Sequence, residues 1–163
     1  MKLVLLRHAT RSPYDGGDSA LSTKGLAQAE ALVGQVSPQG SLPAPTRLIS
    51  SPKRRAKQTL TPLSHALHVS LEIEERLDER RQVETGKEFQ QRIDGLLEEL
   101  SNESTHEACV WLCTHLDWLE TAMIAMTHDL SEIEASIGFN TAEYKVFRLE
   151  DGIWKSKAKG HVP

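Results

Sequence analysis

Three apolar runs in this chain each end in residues suited to holding an anion. Leu3-Val4-Leu5-Leu6 leads into Arg7-His8. Arg47-Leu48-Ile49 leads into Ser50-Ser51, with Arg55 one helical turn later. Ala108 to Cys113 leads into Thr114-His115. Arginine stays charged and offers planar, bidentate donors that match phosphate oxygens. Two arginines would neutralise the equatorial oxygens of a phosphoryl group in transit, where positioning and electrostatics do most of the catalytic work. A neutral imidazole can attack phosphorus and carry the group covalently, and nearby guanidinium groups disfavour its protonation. A second imidazole, protonated, would hold a further oxygen. No metal and no cofactor enter this scheme.

Such residues act together only if the elements bring them to one place. A continuous apolar run of strand length fits a strand buried on both faces. In an open parallel sheet the strand C-termini share one edge, where ligands bind. Ser22 to Val36 has a helical pattern with Ser22 as N-cap. Ser37 to Pro45 reads as a loop. Ser51 caps a helix with Pro52 at its first position, running to about His65. Val69 to Ile73 reads as an edge strand. Thr85-Gly86-Lys87-Glu88 is a capping box that opens a helix to about Leu100. Asp117 to Met126 reads as a helix. Ala142 to Leu149 alternates, and Asp151-Gly152 turns it back toward Ile153 and Trp154. Residues 155–163 read as a loose, lysine-rich tail. Strands alternating with helices predict a single α/β domain over residues 1–163, with a mostly parallel sheet.

Composition narrows the function. The net charge of −4 gives no global attraction for an anionic substrate, so a phosphate site must rest on local cations. No stretch approaches the roughly 20 apolar residues of a membrane span, and Arg7-His8 ends the first apolar run too early for an export signal. Cys109 and Cys113 lie four apart in a strand, about 13 Å between Cα atoms, too far for a disulfide. Reduced thiols fit a cytoplasmic protein. Of the basic run Lys53-Arg54-Arg55-Ala56-Lys57, Arg55 reads as a ligand and the other cations as surface charges. Without interleaved aromatics the run does not indicate nucleic-acid binding. His65 and His68 lack a third partner for a metal site.

The chain resembles the histidine phosphatase superfamily, which includes phosphoglycerate mutases and small phosphatases. Arg7-His8-Ala9 matches its Arg-His-Gly motif, with Ala for Gly. Leu21-Ser22-Thr23-Lys24-Gly25-Leu26-Ala27-Gln28-Ala29 is similar to its first helix. Ser50 to Thr59 matches its second block, and Thr114-His115 falls where its second core histidine is expected. The resemblance implies a three-layer α/β/α fold of the phosphoglycerate mutase type. It implies that His8 is the phosphorylated nucleophile, with Arg7, Arg55 and His115 forming the phosphate pocket. Glu79, in Leu77-Asp78-Glu79, is the implied proton donor. Arg11, in an Arg-His-Ala-x-Arg-x-Pro arrangement similar to the acid phosphatase branch, is a further phosphate ligand. Asp117, two residues past His115, is the rival donor. The expected substrate is a phosphate monoester or protein phosphohistidine, hydrolysed through phospho-His8. The other expectation is a catalytically weak phosphate-binding or adaptor module on the same fold. Oligomeric state is not legible.

Overall fold

A computed structural model describes residues 1–13, 17–36, 40–102, 105, 107–127 and 138–163. Six strands form one sheet: β1 (Lys2–Arg7), β2 (Arg47–Ser50), β3 (Leu71–Ile73), β4 (Cys109–Thr114), β5 (Glu143–Glu150) and β6 (Ile153–His161). Their order is β3-β2-β4-β1-β5-β6. β3, β2, β4 and β1 run parallel, and β5 and β6 are joined antiparallel. The helices are α1 (Thr23–Gln35), α2 (Arg54–Leu67), α3 (Gly86–Asn102) and α4 (Leu116–Met126), with a single 3₁₀ turn at Glu75–Leu77.

The apolar runs explain the layering. Alternate residues of a strand face opposite sides of the sheet. Leu3 and Leu5 of β1, with Val110 and Leu112 of β4, pack on Phe89, Ile93 and Leu96 of α3 and on Trp118 and Leu119 of α4. Val4, Leu6, Trp111 and Cys113 pack instead on Ala29 and Leu32 of α1 and Ala56, Leu60 and Leu63 of α2. Two helices on each face give the three-layer α/β/α fold that the sequence led us to expect. Cys109 and Cys113 face the α1/α2 side, free and buried, and burial raises both thiol pKa values.

Several local signals act as read. Ser22 accepts from the Gly25 amide as N-cap of α1. Thr85 and Glu88 exchange side chain-to-backbone bonds as a capping box. Asp151 and Gly152 both take positive φ in the β5–β6 turn. Leu71–Ile73 lies at the sheet edge. Of the expected Ser37–Pro45 loop, residues 37–39 lie outside the described residues; Gly40 to Pro45 form no helix or strand.

Two expectations need correction. Helix α2 starts at Arg54, not at Pro52, and its N-cap Lys53 makes no side-chain capping bond. Ser51 is drawn to His115 instead, Oγ to Nε2 at 2.7 Å. Residues 155–163 are not a loose tail. They continue β6 along β5, and Val162 beyond it is fully buried, its amide donating to the Ala142 carbonyl. The lysines misled because this edge strand is largely exposed on both faces, so it carries no apolar alternation, and edge lysines are a common way to block further pairing.

Candidate active site

The strand order creates a crevice. The connection leaving β1 crosses toward β2 by α1, and that leaving β4 crosses the other way to β5 by α4. Adjacent parallel strands whose connections diverge leave a gap at their C-terminal ends, where ligands bind in open α/β sheets. Arg7 pairs with Thr114 in register, and Ser50 with Cys113. His8, His115 and Ser51 are therefore each the first residue past their strand, with His8 level with His115 and Ser51 one residue short of them. The His8 amide donates to Thr114 O, and that of Ser51 to Cys113 O, both at 3.0 Å. The two imidazole rings are 5.3 Å apart, centroid to centroid.

Hydrogen bonds settle the tautomer of His8. Nδ1 lies 2.8 Å from the Ala9 carbonyl, which can only accept, so Nδ1 carries the proton. Nε2 accepts from Arg55 Nε at 3.2 Å, so it presents a lone pair. Burial lowers the His8 pKa to about 4, with help from Arg55 and Arg7 and against the Ala9 bond. The ring is therefore a neutral base at physiological pH. Ala9, where the resemblance puts glycine, packs in the apolar α1/α2 side of the core, and its amide donates to Thr59 Oγ1.

Arg55 organises the site. It is buried, with Nε on His8, and Nη2 on both His115 Nδ1 (3.2 Å) and Glu79 Oε1 (2.6 Å). Its Nη1 and the Nε of Arg7 have no hydrogen-bond partner among the described residues. Buried donors are normally satisfied, so these two mark where an anion would bind. Arg7 is oriented by its Nη1, which donates to Phe139 O at 2.6 Å. Since Arg55 donates to Nδ1 of His115, its Nε2 must hold the proton and donate to Ser51 Oγ. Burial first, then Arg55, pushes the His115 pKa down to about 2. The second histidine is thus neutral in this structure, not the protonated ring expected.

A cavity of about 380 Å³ opens over these groups. Arg7, His8, Arg11, Arg55, Glu79 and Asp117 line it. His115 sits behind Arg55, against Ser51, and is not on the lining. The two candidate acids differ in engagement. Asp117 accepts from the Trp118 amide with Oδ1 and from the Arg80 amide with Oδ2, each at 2.8 Å. Glu79 is turned to Arg55 and stands 3.6 Å from His115 Nδ1. Lys53 is not a free surface charge; its Nζ is 3.5 Å from Asp78 Oδ2. Arg54 is exposed.

Residues the sequence reading passed over complete the site. Glu120 lines the cavity one turn beyond Asp117; the i, i+3 spacing on α4 was its only signal. Thr10 and Thr141 also line it, joined through their hydroxyls at 2.9 Å. Gln28 Oε1 accepts from the Thr10 amide and hydroxyl, while its Nε2 donates to Val162 O. His65 and His68 flank a separate depression at the end of α2. Among the described residues no three potential metal ligands cluster, and no helix is long and apolar enough to cross a membrane.

Residues 3–82, which carry the first two of the three converging segments, match the family model of the histidine phosphatase superfamily, branch 1. Over that stretch, just under half of the chain, the sequence is similar to the histidine phosphatase superfamily. No curated protein matches its sequence. Solved histidine phosphatase-like structures extend the agreement in fold over nearly the whole chain. Mycobacterial glucosyl-3-phosphoglycerate phosphatase Rv2419c with inorganic phosphate aligns at TM-score 0.77 and 19% identity, covering 96% of this chain and 95% of that one. The protein histidine phosphatase SixA complexed with tungstate aligns at 0.77 and 19%, covering 99% and 97%. Phosphoserine phosphatase from Entamoeba histolytica with 3-phosphoglyceric acid aligns at 0.76 and 15%, covering 97% and 95%.

Proposed function

We propose that this chain is a histidine phosphatase that hydrolyses phosphate monoesters through a phosphohistidine on His8. The supporting observation is the fixed tautomer of His8. A lone pair on Nε2 is aimed among guanidinium groups, with Nδ1 anchored on a backbone carbonyl. In this reading Arg7 and Arg55 hold the phosphoryl oxygens through their unpartnered nitrogens, and Arg11 contributes at the mouth. His8 Nε2 attacks phosphorus in line as the bond to the leaving oxygen breaks. Glu79 protonates that oxygen, then takes a proton from the water that cleaves phospho-His8. His115 and Ser51 hold Arg55 in place from behind. The glucosyl-3-phosphoglycerate phosphatase, phosphoserine phosphatase and protein histidine phosphatase activities named for the similar structures are all compatible with this scheme.

The test is His8→Ala with p-nitrophenyl phosphate as substrate. Turnover should fall by roughly 10³-fold or more. Quenching wild-type enzyme during turnover should trap label on His8 as a phosphoramidate, labile in acid and stable in base. Wild-type rates in the variant would end the proposal. Phosphate binding without turnover by the unaltered protein would favour a phosphate-binding module instead.

A further inference from the structure

The charges on the cavity wall do not balance a phosphate. Among its described lining residues, Arg7, Arg11 and Arg55 face Glu79, Asp117 and Glu120. With His8 neutral, three positive groups meet three negative ones before any ligand enters. A bound phosphoryl dianion leaves that region net negative. If Glu79 is protonated as the general acid, one negative charge still remains. The site is partly enclosed, and charge interactions are stronger there than in open water.

The remaining negative charge has a location. Glu79 is already paired with Arg55 Nη2 at 2.6 Å. Asp117 accepts only from backbone amides, which offer dipoles and no counter-charge. Glu120 acts on Arg7, opposing the lowering of that guanidinium's pKa by burial, but closes no ion pair with it within 4 Å. Asp117 and Glu120 share one face of α4 and line the same wall. The buried, unpartnered Arg55 Nη1 is an independent sign of a donor available to an anion at the floor of this cavity. A ligand with its phosphate on Arg55 and its other end on α4 would meet a guanidinium at the first end and the carboxylates of Asp117 and Glu120 at the second.

Resting on the reading of this cavity as a phosphate site, we propose that the phosphorylated small molecule it takes carries a cationic group, an ammonium in the simplest case, on its leaving-group side, received by Glu120 with Asp117 beside it. The α4 wall then discriminates against phosphorylated carboxylic acids of the same size, because their second charge would meet Glu120 and Asp117.

Binding of phosphonates separates this idea from catalysis, since no P–O ester bond is present to be cleaved. Titration calorimetry on the full chain at low salt would compare 2-aminoethylphosphonate, ethylphosphonate and phosphonoacetate. The ammonium compound should bind about tenfold or more tightly than the carboxylate compound. That ratio should shrink at least about threefold in Glu120→Gln, and in wild type at high salt. Equal affinities, a preference for phosphonoacetate, or no binding by any of the three would overturn the proposal, as would a ratio that Glu120→Gln leaves unchanged. A charge preference in a protein that hydrolyses no phosphate ester would sink the phosphatase reading while leaving this one standing.

Discussion

At His8 one backbone carbonyl decides which ring nitrogen holds the proton, and so which can act as nucleophile. Ala9 O takes the Nδ1 proton, leaving Nε2 to face Arg55. The same hydrogen-bond logic separates the two candidate acids. Both oxygens of Asp117 are committed to backbone amides at the start of α4, where a carboxylate is favoured by the helix dipole. Glu79 touches Arg55, the arginine proposed to hold the phosphate, directly. Glu79→Gln should therefore lower kcat on alkyl phosphates by roughly 10²-fold or more. It should cost much less on p-nitrophenyl phosphate, whose leaving group needs no proton. Asp117→Asn should leave the ratio between the two substrates near the wild-type value. If the two variants behaved the other way round, Asp117 would be the donor.

At the scale of elements, β6 ties the C-terminal segment to the site. Val162 O accepts from Gln28 Nε2, and Gln28 Oε1 holds Thr10, two residues past His8. Gly25 of α1 lies against the Thr10 carbonyl so closely that an added Cβ would clash with it. The segment after β1 is thus clamped between α1 and the end of β6. Gln28→Ala leaves the Thr10 amide without its partner and should cost roughly 1–3 kcal/mol. Deleting residues 153–163 should cost more, because it also bares the edge of β5 to other chains. Urea unfolding and light scattering would check both. A truncated chain as stable and monomeric as the full one would contradict the role given to β6.

For the whole molecule, the two buried imidazoles link stability to acidity. Their native pKa values, about 4 for His8 and about 2 for His115, lie well below the ordinary histidine value of about 6.5. As pH falls below about 6.5 the unfolded chain binds protons that the native one refuses, so stability is lost on acidification. The contribution is fully present above about pH 6.5, and falls through about pH 4 for His8 and still lower for His115. Between pH 7 and pH 5 the loss should be on the order of 2 kcal/mol for each ring. The urea midpoint should drop over that range, and His115→Gln should flatten the drop. A midpoint independent of pH in the wild type would show that the rings are not held neutral.

Much of this was legible before any coordinates. Unbroken apolar runs such as Leu3–Leu6 fit strands with both faces covered, and such strands call for helices on two sides of a sheet. The polar residues that end those runs, Arg7-His8, Ser50-Ser51 and Thr114-His115, were visible as chemistry because strand ends cannot bury such groups unpaired. Capping at Ser22 and Thr85 is local and needs no tertiary partner. What only the tertiary structure decided was every question of adjacency. Ser51, expected as a helix cap, instead bonds His115, 64 residues away. The lysine-rich end became a strand because β5 had an open edge to pair with. Glu120 joined the cavity because the packing of α4 turned that face toward β1. Such outcomes depend on which long-range contacts win, and a linear pattern records which groups are available but not which of them meet.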